Sequence, residues 1–193
     1  AFAFARMFHP AMRHAATVRA ELGIPTVFNM LGPIAHPARL KRAVIGVSDP
    51  SRLELLADVM RRRGVDRVWL VHGQDGLDEL STSAPSQIVD VTADRVERRT
   101  LHPSEVGITE VPGDEIGGGD PVENARIITE VLAGKPGPDA ELILLNAAAG
   151  LVVSGLHDDL GEALEAARTS IASGAAERTL TELRAVTAEL IAG

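Results

Sequence analysis

Apolar residues recur along this chain at two spacings, and the spacings divide it into helices and strands. Ala11, Ala15, Val18 and Leu22 share one face at helical spacing, which predicts a helix over 9–22 stopped by Gly23. Pro25 and Thr26 open a short second helix that includes Phe28 and ends near Gly32-Pro33. Residues 43–47, AVIGV, form a continuous apolar run bounded by polar positions, as a buried strand does. Asp49-Pro50 reads as an N-cap and first helical residue. Leu53, Leu56, Ala57 and Met60 mark the buried face of the helix that follows. Arg61, Arg62 and Arg63 close it before Gly64, where cations complement the helix dipole. Residues 67–71, RVWLV, are the next buried strand. This compact strand–helix–strand unit predicts a parallel pair with a right-handed crossover.

Gln87–Val91 and Arg95–Leu101 read as more exposed strands around a Thr92-Ala93-Asp94 turn, an antiparallel excursion. Asp120-Pro121-Val122-Glu123 is a capping box opening a helix to Ala133, and GKPGP is a linker. Glu141–Val153 is apolar nearly all round, which predicts a buried helix. It is too short to span a membrane, and Asn146 interrupts it. Leu160, Ala163, Leu164, Ala167 and Ile171 mark a further helix, and Leu180, Leu183 and Leu190 the last. The expected fold is α/β, a central sheet with flanking helices and a helical end.

Composition narrows the function classes. The chain has 193 residues, enough for one well-cored domain. Hydrophobic residues make up 45% and charged residues 24%, the balance of a globular protein rather than a disordered one. A net charge of −8 argues against nucleic acid and suits recruitment of a divalent cation. Without cysteine, nothing staples the fold or suggests an oxidising compartment. The start, AFAFARMF, is short and lacks a charged leader, so it is a poor signal peptide. Phe2, Phe4 and Phe8 read instead as part of an element whose packing partners lie upstream.

The chemistry gathers after the second strand. His72-Gly73 ends it, and the loop Gln74-Asp75-Gly76-Leu77-Asp78-Glu79-Leu80-Ser81 follows. Sites of open parallel sheets lie just past the C-terminal strand ends. Asp75, Asp78, Glu79 and Ser81 are four acceptors at that place. Carboxylates that are neighbours in sequence point apart on a strand but can converge on a loop. Magnesium keeps several waters and takes one or two carboxylates plus substrate phosphates, a pattern that Asp78-Glu79 with a diphosphate fits.

Other candidates are weaker by spacing. His9 and His14 are five apart and make a poor metal pair. Arg19 could bind a planar carboxylate in bidentate fashion, but spacing alone favours a surface arginine. Gly117-Gly118-Gly119 precedes a helix without a convincing strand before it, and reads as a structural loop rather than a phosphate cradle.

The segments HPAMRHAATVRAELGIPTVFNMLGPIAHPA, GVSDPSRLELLADVMRRRGVDRVWLVHGQDGLDELS, GGGDPVENARIITEVLAGKPGP and LLNAAAGLVVSG, in that order, resemble anthranilate phosphoribosyltransferases over nearly the whole chain. The resemblance implies a pentosyltransferase of tryptophan biosynthesis, cytoplasmic and homodimeric. It would move phosphoribosyl from phosphoribosyl diphosphate to the amine of anthranilate, releasing diphosphate. By motif, Asp78 and Glu79 would bind magnesium (Mg2+) on the diphosphate. Arg19 would contact the anthranilate carboxylate, Pro33 would line the anthranilate pocket, and His9 would stand near the substrate channel. Residues 1–40 would belong to a small helical subdomain and hinge, and 41–193 to the C-terminal part of the α/β domain.

Two motifs of the family are missing. A GTGGD loop cradles the diphosphate and a KHGN segment helps hold anthranilate; neither occurs in these 193 residues. Arg6 stands where the family often has proline. The expectation is therefore a polypeptide with little or no transferase activity alone. The alternatives are a pyrimidine nucleoside phosphorylase-like enzyme, which shares the fold, or a non-catalytic fragment acting as a dimerisation module.

Overall fold

The structure, a computed structural model, describes residues 13–24, 26, 31, 32, 34–36 and 38–192, without the side chains of Arg19 and residues 190–192. The predicted second helix overlaps these residues only at Thr26, Leu31 and Gly32; Phe28 lies outside the described residues. The first described helix, α1, spans Arg13–Leu22. Gly23 follows with a left-handed φ of 62°, which glycine adopts without strain. Val18 and Leu22, on the predicted apolar face, are exposed.

Four strands form one sheet in sequence order: β1 (Arg42–Gly46), β2 (Arg67–Gly73), β3 (Ser86–Val91) and β4 (Val96–Leu101). β1 and β2 pair in parallel, with Val44 opposite Trp69. β3 and β4 continue antiparallel, with Ile88 between Val71 and Arg99. The parallel pair is joined by α2 (Leu53–Arg62), entered through a 3-10 turn at Pro50–Arg52. The Asp49 carboxylate accepts from the Ser51 N–H and caps that turn.

Both faces of the sheet are covered, and the period of two in β2 divides the core. Val68 and Leu70 pack with Val89, Val91 and the apolar face of α2, including Leu56 and Met60. Trp69 and Val71 pack with Ile88, Leu101 and two later helices, α4 (Pro138–Ser154) and α5 (Leu160–Ala172). Two peripheral helices complete the described chain, α3 (Pro121–Leu132) and α6 (Ala175–Ala192).

Two burial expectations are corrected. β3 is buried along nearly its whole length, not exposed like β4. Its misleading polar position is Asp90, 8% exposed, whose carboxylate lies 2.7 Å from Arg67 at the start of β2. The pair makes a charged residue compatible with burial. Helix α4 is apolar nearly all round, yet Ala147 and Gly150 on one stripe remain exposed. Among the described residues, no helix is long and apolar enough to cross a membrane.

Candidate active site

β2 carries His72 and Gly73 as its last residues before the acidic loop turns back. The Gly73 N–H donates to the Leu77 carbonyl at 2.8 Å, and the Gly76 N–H to the Gly73 carbonyl at 2.9 Å. The Gln74 N–H reaches the Pro85 carbonyl at 2.9 Å, tying the loop to the entry of β3. Gly73 leaves room for the turn: a β-carbon there would stand 2.5 Å from Asp75 Oδ1.

The four acceptors separate into two roles. Ser81 Oγ donates to Asp75 Oδ2 at 2.5 Å, and Asp75 Oδ1 accepts from the Leu77 N–H at 3.3 Å. Ser81 Oγ in turn accepts from the N–H groups of Ser83 and Ala84. Asp75 and Ser81 therefore close the loop on itself. Asp78 and Glu79 stay exposed, and among the described residues no donor or cation holds either carboxylate. Desolvation by the surrounding protein raises the Glu79 carboxyl above its ordinary value, and the neighbouring Asp78 charge raises it further.

Three residues outside the loop fix where that pair sits. At the end of β1, the Cα of Gly46 meets the Asp78 backbone, and a β-carbon would stand 1.7 Å from the Asp78 carbonyl oxygen. His72, 6% exposed, places Nδ1 2.8 Å from the Val47 carbonyl. A carbonyl only accepts, so Nδ1 carries the proton there. From α4, Asn146 holds both backbone groups of Leu80. Sequence reasoning missed the roles of these three. The signal available for Asn146 was one polar residue within the apolar run from Leu142 to Val153.

Among the described residues, no group of three or more His, Cys, Asp or Glu side chains could hold a metal ion. Two free carboxylates alone suit a cation that brings water and phosphate as its other ligands, as magnesium does. Of the other predicted site residues, His9 and Pro33 lie outside the described residues. Arg19 lies in α1, its side chain outside the description. The Gly117–Gly119 loop is engaged internally: Gly117 N–H donates to Asp139 Oδ1 at 2.6 Å and Gly119 N–H to Asn124 Oδ1 at 3.0 Å.

The profile of the glycosyl transferase family, a/b domain, matches residues 1–177. The chain belongs to this family. It is 47% identical over 186 residues to an anthranilate phosphoribosyltransferase of Thermomicrobium roseum, covering 95% of this chain and 53% of that protein. The solved anthranilate phosphoribosyltransferase of Saccharomyces cerevisiae in complex with 4-fluoroanthranilate is similar, with 32% identity and a TM-score of 0.85. That match covers 94% of this chain and 53% of the yeast chain. The yeast enzyme in complex with PRPP and Mg matches at 32% identity and a TM-score of 0.81, over 90% of this chain and 50% of that one. The chain thus spans about half the length of the relatives it matches.

Proposed function

We propose that this chain supplies the magnesium-diphosphate side of an anthranilate phosphoribosyltransferase. The observation that carries the reading is the exposed Asp78-Glu79 pair, unpartnered among the described residues, at the C-terminal end of the parallel strands. The yeast relative in complex with PRPP and Mg supports both the metal and the phosphoribosyl donor, and its 4-fluoroanthranilate complex supports the acceptor.

In this reading Asp78 and Glu79 would hold the magnesium ion that accompanies phosphoribosyl diphosphate. When bound, the ion neutralises charge on the leaving group, a Lewis-acid contribution worth several kcal/mol. The bond from ribosyl C1 to diphosphate oxygen breaks, the anthranilate nitrogen bonds to C1, and the proton that the nitrogen then sheds passes to the released diphosphate or to water. The attacking amine is neutral, so a strong base is not needed. The protein's own part is positioning, which can contribute roughly 7–11 kcal/mol when two substrates are well aligned. Arg19 takes the anthranilate carboxylate through its guanidinium, Pro33 lines the aromatic pocket and His9 stands by the channel. Residues 1–40 form the helical segment and hinge, and 41–193 the α/β part. The assembled enzyme is a cytoplasmic homodimer.

GTGGD and KHGN do not occur in the chain, and it spans about half of its relatives' length. Alone, therefore, it turns over little or nothing. The test mixes the chain with the part of the Thermomicrobium relative that this chain does not cover. The reconstituted pair should consume anthranilate with phosphoribosyl diphosphate and magnesium, and the chain alone should not. Turnover by the chain alone contradicts the half-site reading. Phosphorolysis of a pyrimidine nucleoside by the pair, without use of anthranilate, contradicts the transferase reading.

A further inference from the structure

We infer that Asn146 is the positioning residue of the acidic loop, a carboxamide clasp from α4 that sets the direction of the Asp78-Glu79 carboxylates. The inference rests on the magnesium reading of that pair.

A carboxamide in an apolar helix is costly unless its polar atoms are satisfied. Asn146 satisfies all of them on two targets. Its Oδ1 accepts from the Leu80 N–H at 3.0 Å. Its Nδ2 donates to the Leu80 carbonyl at 2.9 Å and to the Leu142 carbonyl, one turn earlier in α4, at 3.0 Å. The Leu80 N–H belongs to the peptide that joins it to Glu79, and the Leu80 carbonyl to the peptide that joins it to Ser81. One side chain thus fixes both peptide planes flanking Leu80, while the Leu80 side chain itself is fully buried.

Neighbouring contacts complete the hold. The Ser81 N–H donates to Ser86 Oγ at 2.8 Å, and Ser81 Oγ donates to Asp75. Asp78 rests on Gly46. Glu79 is therefore the residue between two anchored ones, and its carboxylate leaves the loop in a direction set mainly by the clasp. Asn146 itself is a residue acting through Leu80, in the way that outer partners orient metal ligands.

The test compares the wild-type chain with Asn146→Leu, which keeps the branched outline of the side chain with larger methyl groups at its tips and removes all three bonds. A control, Leu164→Ala in α5, destabilises the same core, which includes Leu80, without removing any of the three hydrogen bonds of the clasp. Two readouts are taken: amide hydrogen exchange across residues 74–82, and Mn2+ binding followed by the free-ion electron paramagnetic resonance signal. Asn146→Leu should speed exchange in that segment by about tenfold and weaken Mn2+ by about 10–100-fold, with Leu164→Ala changing neither beyond about twofold. Asn146→Asp keeps the acceptor toward the Leu80 N–H and should fall between, which decides the matter if the leucine variant does not fold. Exchange in 74–82 no faster than in the control, or Mn2+ affinity unchanged in a folded variant, overturns the inference. If the wild type binds no Mn2+, the magnesium reading falls, and the exchange comparison decides the clasp by itself.

Discussion

The carbonyl oxygen of Asp78 lies over the Cα of Gly46, so close that a β-carbon on Gly46 would stand 1.7 Å from it. The glycine in the strand AVIGV is thereby tied to the acidic loop 32 residues later in the chain, from Gly46 to Asp78. The two nearest atoms of Asp78, its carbonyl oxygen and carbon, are backbone, so the loop must shift as a whole if a side chain is added. Gly46→Ala should cost about 1–3 kcal/mol of stability and weaken Mn2+ binding, checked by urea unfolding and metal titration. Gly118→Ala, whose β-carbon would meet nothing within 4 Å, should leave both unchanged.

Asp75 and Asp78 are three residues apart but differ in role. Asp75 accepts from Ser81 at Oδ2 and from the Leu77 N–H at Oδ1; an asparagine can keep the oxygen toward Leu77 and donate from Nδ2 to the Ser81 hydroxyl oxygen. Asp75→Asn should keep Mn2+ affinity within a few-fold, while Asp78→Asn loses it. Equal losses in a metal titration of the two variants would show that Asp75 is a ligand too.

Glu79 carries a pH signature. Its folded carboxyl is raised, chiefly by desolvation and then by Asp78, so the ionised form disfavours the fold. That penalty is absent below the unfolded carboxylate value and grows as pH rises through the raised one. Without metal, Glu79→Gln should be more stable than wild type at neutral pH, by less than about 1 kcal/mol because the group is largely solvated. The difference should vanish in acid. Urea midpoints compared across the carboxylate range read it out.

At the opposite end of β2, Arg67 donates to Asp90 and to the Val152 carbonyl, and lies 5.5 Å from the Trp69 ring. Asp90→Ala leaves that guanidinium without its carboxylate. The expected loss is about 2–3 kcal/mol, with Mn2+ affinity unchanged because the loop is at the far end of the strand.

Local signals in the sequence were sufficient where structure is local. Asp49-Pro50 caps a turn, the Leu53, Leu56, Ala57 and Met60 stripe is buried, and the parallel β1–β2 pair follows from two apolar runs flanking that helix. Long-range partners were not legible. Asp90 made β3 look exposed because Arg67 stands 23 residues away, and Asn146 looked like an interruption because Leu80 stands 66 residues away. Asp78 and Glu79 could be singled out from their position after a strand, but the diversion of Asp75 and Ser81 to loop closure required the hydrogen bonds. The exposed Val18 and Leu22 of α1 show an amphipathic helix whose apolar face the described residues leave uncovered.

The most direct test of the magnesium half-site is the metal dependence of anthranilate consumption, followed by anthranilate fluorescence, in the reconstituted pair. The account predicts magnesium-dependent consumption with the wild-type chain and none above background with the Asp78→Asn, Glu79→Gln double variant, although that variant remains folded. The same rate and magnesium dependence in the double variant would contradict it.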